Sequence, residues 1–148
     1  MRLAFLFLGV VAFIGCGEKA EVEDALHSVV VTLPDGQQIQ AQPMIETSDL
    51  LRGMQFRKSL DADHGMLYYQ RRPGKYSYWM YQTLIPLDMI WIDEDNRVVE
   101  IVEDTPPCQT AASKCPMYGG HEMAKYVLQL RAGMVKKYGL KLGEQIRF

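Results

Sequence analysis

The chain has 148 residues, of which 48% are hydrophobic and 23% are charged, as expected for one ordinary globular domain. Its formal net charge of −2 gives no electrostatic reason to expect nucleic acid or an anionic membrane surface as a partner. The sequence contains no glycine-rich phosphate loop, zinc-binding helix motif or nucleophile elbow, and it implies no cofactor.

Residues 1–15 have the features of a secretion signal. Arg2 supplies a positive start, and the apolar run from Leu3 to Ile14 is too short to span a bilayer as a helix. The run leads into Phe13-Ile14-Gly15-Cys16, which resembles a bacterial lipobox, although leucine is usual at the first of these positions. This resemblance implies that Cys16 becomes the lipid-modified first residue of the mature protein. The alternative is a plain signal peptide followed by a coincidental cysteine.

Residues 16–27 are predicted to be the lipidated cysteine and a flexible tether. Gly17 to Ala25 is short and charged, and it has no apolar face. Gly17 stands where an aspartate retains lipoproteins in the inner membrane of enterobacteria, so the periplasmic side of the outer membrane is favoured. The remaining residues, 28–148, are then a single domain.

The first part of this domain has the pattern of a hairpin followed by a short helix. Ser28 to Leu33 is rich in β-branched residues, and Gln37 to Ile45 alternates between apolar and polar positions after a Pro-Asp-Gly turn signal. Thr47 or Ser48 is predicted to cap a short helix that Gly53 ends. A strand from Gly65 to Tyr69 and a tight basic turn from Arg71 to Lys75 follow.

The stretch from Tyr76 to Asp93 contains both tryptophans of the chain, Trp79 and Trp91. We predict two strands, residues 76–81 and 88–93, joined by an irregular corner, because Pro86 has no N–H to give to a sheet. Alternation along the first strand places Trp79 and Tyr81 on the face opposite Tyr78. One of these faces is expected to form an aromatic groove that stacks on a sugar ring or a peptide; the alternative is that both faces are covered.

The last part of the chain continues the pattern of short strands. Residues 97–103 follow a tight turn as a return strand, and residues 125–131 form another strand. Residues 132–138 are predicted to be a helical turn, and residues 143–148 a strand that closes the sheet, whereas residues 105–121 show no periodicity. The expected fold is mainly β, a small barrel-like sandwich of about seven short strands with one or two short helices.

The domain also resembles the Domain of Unknown Function 192 family over about Val29 to Phe148. The pieces that carry the resemblance are Trp79-Met80, Thr83 to Met89, Arg52 to Arg57, Gly65 to Leu67, Tyr126 to Leu130 and Ala132-Gly133. The family usually has lysine and asparagine between the Trp-Met pair and the threonine, where this chain has Tyr81 and Gln82. The resemblance implies the mainly β fold and assigns no activity.

Of the three cysteines, Cys16 lies near the N-terminus, and Cys108 and Cys115 lie close together in the last third of the chain. Lipidation accounts for Cys16, and outside the cytoplasm Cys108 and Cys115 are expected to form a disulfide that orders the loop between them. The competing interpretation is a metal or catalytic site that uses Cys115 with His121. The spacing of the two cysteines is unlike that of common zinc sites, and no metal site is predicted.

The candidate ligand-binding residues are Trp79, Tyr81, Thr83 and Asp88, around the central corner. An aromatic face, a hydroxyl and a carboxylate together are the groups that a glycan or a peptide requires. A second interpretation of Asp88 is a corner residue that accepts backbone hydrogen bonds. The predicted function is therefore a binding or structural module of the cell envelope.

Two other functions remain open at this point. An envelope hydrolase acting on a glycan or a peptide would have Asp88, Asp63 and His64 as its candidate residues. A copper-handling protein would use Met117 and Met123 near His121, because thioethers suit copper(I). Most of the other methionines lie in apolar runs, where methionine usually fills gaps in a core.

Overall fold

The structure is a computed structural model that describes residues 28–148. The predicted leader, the predicted lipidation site Cys16 and the predicted tether therefore lie outside the described residues. In the described part of the chain, eight strands form two sheets, accompanied by two short helices. None of the helices in this part is long and apolar enough to cross a membrane.

The main sheet has six strands in the order β1-β2-β3-β8-β5-β6. Their bounds are β1 Val29–Thr32, β2 Gln38–Met44, β3 His64–Gly74, β5 Leu87–Ile92, β6 Val98–Thr105 and β8 Ala124–Arg131. Neighbouring strands are antiparallel except for β2 and β3, which are parallel. Because parallel neighbours need a crossover, residues 45–63 pass over one face of the sheet, and they carry helix α1 (Thr47–Arg52).

Strand β5 is the most buried strand of the sheet, since all six of its residues are buried. Alternate side chains enter two different hydrophobic clusters, one on each face. Ile90 and Ile92 join the cluster that helix α2 (Met134–Tyr138) and the C-terminal residues cover. Met89 and Trp91 join the cluster that the crossover and a small second sheet cover. This second sheet pairs β4 (Tyr78–Trp79) with β7 (Met117–Tyr118). The predicted mainly β, sandwich-like fold is confirmed, but the sheets do not close into a barrel.

The predicted last strand, residues 143–148, is not a strand. These residues form isolated bridges, from Arg147 to Thr32 of β1 and from Gln145 to Arg97 just before β6. The same segment therefore hydrogen-bonds near both edges of the six-stranded sheet without joining either as a ladder. Its apolar side chains still point inward as predicted, because Ile146 is fully buried.

Three other elements differ from the sequence-based prediction. Strand β3 continues through the predicted basic turn, and its register against β8 shifts between Tyr69 and Gly74. Strand β4 has only two of the six predicted residues, and it pairs with the equally short β7. The carbonyl of Tyr76 instead accepts the indole N–H of Trp91 (2.7 Å). Helix α1 begins after Glu46 and has no side-chain cap.

Candidate functional site

The corner between β4 and β5 is held by the disulfide loop. Cys108 donates its N–H to the carbonyl of Met80 (3.0 Å) and accepts the N–H of Gln82 (3.0 Å). The side-chain amide of Gln109 donates to the carbonyl of Thr83 (2.6 Å). Cys108 is bonded to Cys115, with 5.8 Å between their Cα atoms. The predicted disulfide is confirmed, and Cys115 therefore has no free thiol for a metal or catalytic site.

The crossover holds the corner from the other side. The N–H of Phe56 donates to the carbonyl of Gln82 (3.0 Å), and Gln55 forms a bridge with Thr83. Phe56 and Gln82 both have left-handed backbone conformations, with φ of 63° and 57°. For residues with a Cβ this conformation costs on the order of 1–2 kcal/mol each, and asparagine adopts it more readily. The left-handed backbone at position 82 therefore explains why the family motif usually has an asparagine where this chain has Gln82.

A cavity of about 40 Å³ lies between helix α1, this corner and strands β3 and β8. Tyr68 of β3 and Gln129 of β8 form part of its lining, and the Tyr68 hydroxyl donates to Oε1 of Gln129 (3.0 Å). Burial raises the pKa of the Tyr68 phenol, so this hydroxyl stays protonated. At Gly53 a Cβ would lie 2.6 Å from the Tyr68 hydroxyl, so only glycine fits at this point of the lining.

Two cavity-lining polar side chains have hydrogen-bonding groups with no protein partner. Gln129 and Thr83 are each only 3% exposed. Within residues 28–148, the amide nitrogen of Gln129 and the hydroxyl of Thr83 have no hydrogen-bond partner. Among the described residues, no side-chain nitrogen or oxygen is both buried from solvent and without a hydrogen-bond partner. Both groups must therefore reach solvent, and both residues line the cavity. A ligand in the cavity would satisfy them.

Three of the four predicted ligand-binding residues meet at this cavity. Trp79, Tyr81 and Thr83 all line it, and the rings of Trp79 and Tyr81 lie 5.3 Å apart. Trp79 is 41% exposed and Tyr81 is half-buried, whereas Tyr78 turns toward Trp91 in the core. The alternation along the strand therefore matches the prediction.

The structure places Asp88 elsewhere. It is fully buried, and its two oxygens accept the N–H groups of Asp104 (2.9 Å) and Val135 (2.8 Å). It is absent from the residues that line the cavity. Asp88 is thus a corner residue that joins β5 to β6 and to helix α2. Because Asp88 is fully buried and does not line the cavity, it does not meet a ligand bound there.

The other hydrolase candidates form a surface pair. Nδ1 of His64 lies 2.9 Å from the carboxylate of Asp63, and both side chains are exposed. The hydrogen bond from His64 lowers the pKa of Asp63. Neither residue lines the cavity.

The residues suggested for copper are at the surface of the domain. Met117 and Met123 are exposed, and Nδ1 of His121 contacts the carboxylate of Glu100 (2.6 Å). Burial alone would raise the pKa of Glu100, but hydrogen bonds from His121 and from two backbone N–H groups outweigh it and lower this pKa. Among the described residues, no three His, Cys, Asp or Glu side chains form a group that could hold a metal ion.

Several residues of the cavity were not predicted from the sequence, namely Tyr68, Gln129, Gly53 and Arg52. They come from β3, β8 and the crossover, and a single sequence does not show that these segments meet. One signal was present at Gln129, which is a lone polar residue within the apolar run Val127 to Leu130. A polar residue in a buried run indicates a specific partner.

Comparison with known proteins places the domain in a family. The model of the Domain of Unknown Function 192 family, described as uncharacterized ACR, matches residues 30–148. No curated protein sequence matches the chain.

Two solved structures share the fold. One is a protein of unknown function from Novosphingobium aromaticivorans DSM 12444, 24% identical, with a TM-score of 0.74 over 82% of this chain and 85% of that chain. The other is a protein of Sinorhizobium meliloti 1021 whose description proposes a transcription regulator. It is 28% identical, with a TM-score of 0.70 over 80% of this chain and 89% of that chain.

Proposed function

This chain belongs to the Domain of Unknown Function 192 family, and we propose that it is a binding module of the bacterial cell envelope. Its ligand is a glycan or a peptide with a small polar group that enters the cavity beside Thr83 and Gln129. The observation that carries the proposal is the pair of unpaired polar groups on residues that are almost fully buried. Because both groups reach solvent, water can pair with them, and a ligand that displaces this water must supply equivalent hydrogen bonds. This requirement selects a polar ligand group.

The rim of the cavity suits the rest of such a ligand. Trp79 and Tyr81 present adjacent aromatic rings, and Leu51 of α1, which also lines the cavity, is exposed. Aromatic rings stack on the apolar faces of sugar rings and on peptide side chains. An apolar rim around a few polar groups is the usual composition of a ligand site.

The envelope location rests on the N-terminal sequence and on the disulfide. Lipid on Cys16 would attach the mature protein to a membrane, because several acyl chains on one residue bind firmly. The Cys108–Cys115 disulfide supports an oxidising compartment. In a bacterial host, the wild-type protein should fractionate with membranes and Cys16→Ser should not. Recovery of the wild type as a soluble, unlipidated periplasmic species would contradict this location.

A nucleic-acid partner is not part of the proposal. The description of the Sinorhizobium meliloti neighbour raises that role for its own protein. This chain has a net charge of −2, and its apolar leader is predicted to direct export. Non-specific DNA binding depends on an excess of lysine and arginine facing the phosphates, so neither feature supports it here.

The binding proposal is tested with a panel of cell-wall fragments, glycans and short peptides, monitored by tryptophan fluorescence. Trp79 lines the cavity and reports on it, whereas Trp91 is fully buried. Thr83→Val keeps the shape of the side chain and removes the hydroxyl, so it should weaken any ligand that binds, and Tyr81→Ala should do so as well.

Thr32→Val in strand β1 is the matched control and should change nothing. Thermal denaturation of each variant shows whether the fold is intact. If no member of the panel binds, or if Thr83→Val binds as the wild type does, the cavity is not a ligand site and a structural role is what remains.

A further inference from the structure

A second and larger depression adjoins the cavity. This outer groove has a volume of about 270 Å³ and is lined by Gln42, Met44, Asp49, Arg52, Gly53, Gln55, Phe56 and Arg57. Arg52, Gly53 and Gln55 line both the groove and the inner cavity. The two spaces are therefore neighbours, and together they are called the cleft.

The outer groove carries unneutralised positive charge. Its lining has two arginines against the single carboxylate of Asp49. Within residues 28–148 neither Arg52 nor Arg57 has a carboxylate partner. Arg57 is instead held by a hydrogen bond to the side-chain oxygen of Gln42. The positive charge of Arg57 also opposes the rise in the pKa of Tyr68 that burial causes. The electrostatic potential of Arg57 therefore extends to the lining of the inner cavity.

The size of the inner cavity restricts what enters it. About 10–15 Å³ of such volume holds one water, so about 40 Å³ admits a methyl or hydroxymethyl group. A sugar ring or an aromatic side chain is too large. A plain acyl chain fits poorly for a different reason, because it would leave the Thr83 hydroxyl and the Gln129 amide unpaired.

From these observations we infer that the cleft binds the carboxyl end of a peptide whose last residue has a small side chain. The side chain enters the inner cavity together with the carbonyl of the preceding peptide bond, whose oxygen accepts from both the Gln129 amide and the Thr83 hydroxyl. The terminal carboxylate lies in the outer groove against Arg52 and Arg57. A planar guanidinium binds a carboxylate with charge-assisted hydrogen bonds, often two at once. This inference rests on the proposed binding function and specifies its ligand.

The test uses the full-length protein in detergent micelles and isothermal titration calorimetry. The ligands are short peptides with a terminal alanine, either as the free acid or as the C-terminal amide, and the same peptides with a terminal leucine. The free acid ending in alanine should bind about 10- to 100-fold more tightly than its amide, the equivalent of one charge-assisted hydrogen bond. The leucine peptide should bind more weakly than the alanine peptide.

Arg52→Gln and Arg57→Gln should each weaken binding of the free acid and leave binding of the amide unchanged. Both side chains are exposed, so these variants keep the fold. Arg71→Gln on the exposed part of β3 is the matched control and should change neither peptide.

The outcomes separate this inference from the proposed function. If the free-acid peptide and the C-terminal amide peptide bind equally, and Thr83→Val weakens the binding of both, the cavity is a ligand site but the arginines do not bind the terminal carboxylate. Preference for a glycan fragment over every peptide also overturns the inference while the binding function stands. If neither peptides nor glycans bind, both proposals are wrong.

Discussion

The role of Asp88 can be tested by the substitution Asp88→Asn, which removes the charge and keeps the size. The carboxylate accepts two backbone N–H groups, one through each oxygen. An asparagine has one acceptor oxygen, so its NH₂ group must face one of the two donors. That donor would be Asp104, because Asp104 is exposed whereas Val135 is buried.

The expected cost follows from those contacts. One charge-assisted hydrogen bond is lost, the other becomes neutral, and one N–H has no acceptor, which together lower the free energy of unfolding by about 2–4 kcal/mol. For a domain of this size the melting temperature should fall by roughly 10 °C. Urea unfolding at pH 7, followed by the fluorescence of the buried Trp91, measures the change.

The chain supplies a matched control in Asp93→Asn. Asp93 also accepts two backbone N–H groups, from Asp95 (3.0 Å) and Arg97 (2.8 Å), but both go to the same oxygen in an exposed turn. Asparagine keeps that oxygen, so the change should stay within about 0.5 kcal/mol. Equal effects at the two positions would refute the reasoning. So would a hydrolytic activity that Asp88→Asn abolishes without changing the melting temperature.

Three further predictions follow from other contacts. Replacing Cys108 and Cys115 by serine should lower the free energy of unfolding by about 2–3 kcal/mol and weaken ligand binding. Mass spectrometry of the wild type should find the linked pair two protons lighter than two free cysteines, and two free thiols would contradict this. Glu100→Gln should destabilise the domain above pH 4.5, the ordinary pKa of the glutamate carboxyl. The difference in free energy of unfolding between variant and wild type should vanish as the pH falls through the lowered folded-state pKa. A difference that persists in acid would exclude a stabilising contact between the Glu100 carboxylate and His121. Gln82→Asn should raise the free energy of unfolding by up to about 1 kcal/mol, since asparagine tolerates the left-handed backbone, and a loss of stability would contradict that reason.

The sequence predicted the fold class because its strands follow simple patterns. Alternation, β-branched runs and turn residues identify most strands, and the same alternation places Trp79 and Tyr81 opposite Tyr78, as the structure does. Ile146 and Phe148 near the C-terminus pack inward as expected, yet their segment is not a strand. Whether a segment joins a ladder depends on which edge it meets, and alternation does not contain that information.

The candidate site was predicted in part for the same reason. Trp79, Tyr81 and Thr83 are neighbours in sequence, so one motif contained them. Tyr68 and Gln129 are 61 positions apart in the sequence, and they meet because β3 pairs with β8. A single sequence does not specify that pairing. Asp88 was ambiguous because an aspartate in an apolar run suits either a ligand or a pair of backbone donors.

The corner is where this sequence departs most from what stability alone would select. Thr83 is buried with an unpaired hydroxyl, and Phe56 and Gln82 hold strained backbones while hydrogen-bonded to each other. A valine at position 83 would keep the shape and remove the unpaired group, so the fold itself gives no reason for threonine. The disulfide loop and the crossover hold the corner from two sides and offset that strain. Strain that neighbouring structure maintains, together with an unpaired polar group beside a cavity, is typical of binding sites. This is the physical reason to place the ligand here, and it does not depend on which ligand binds.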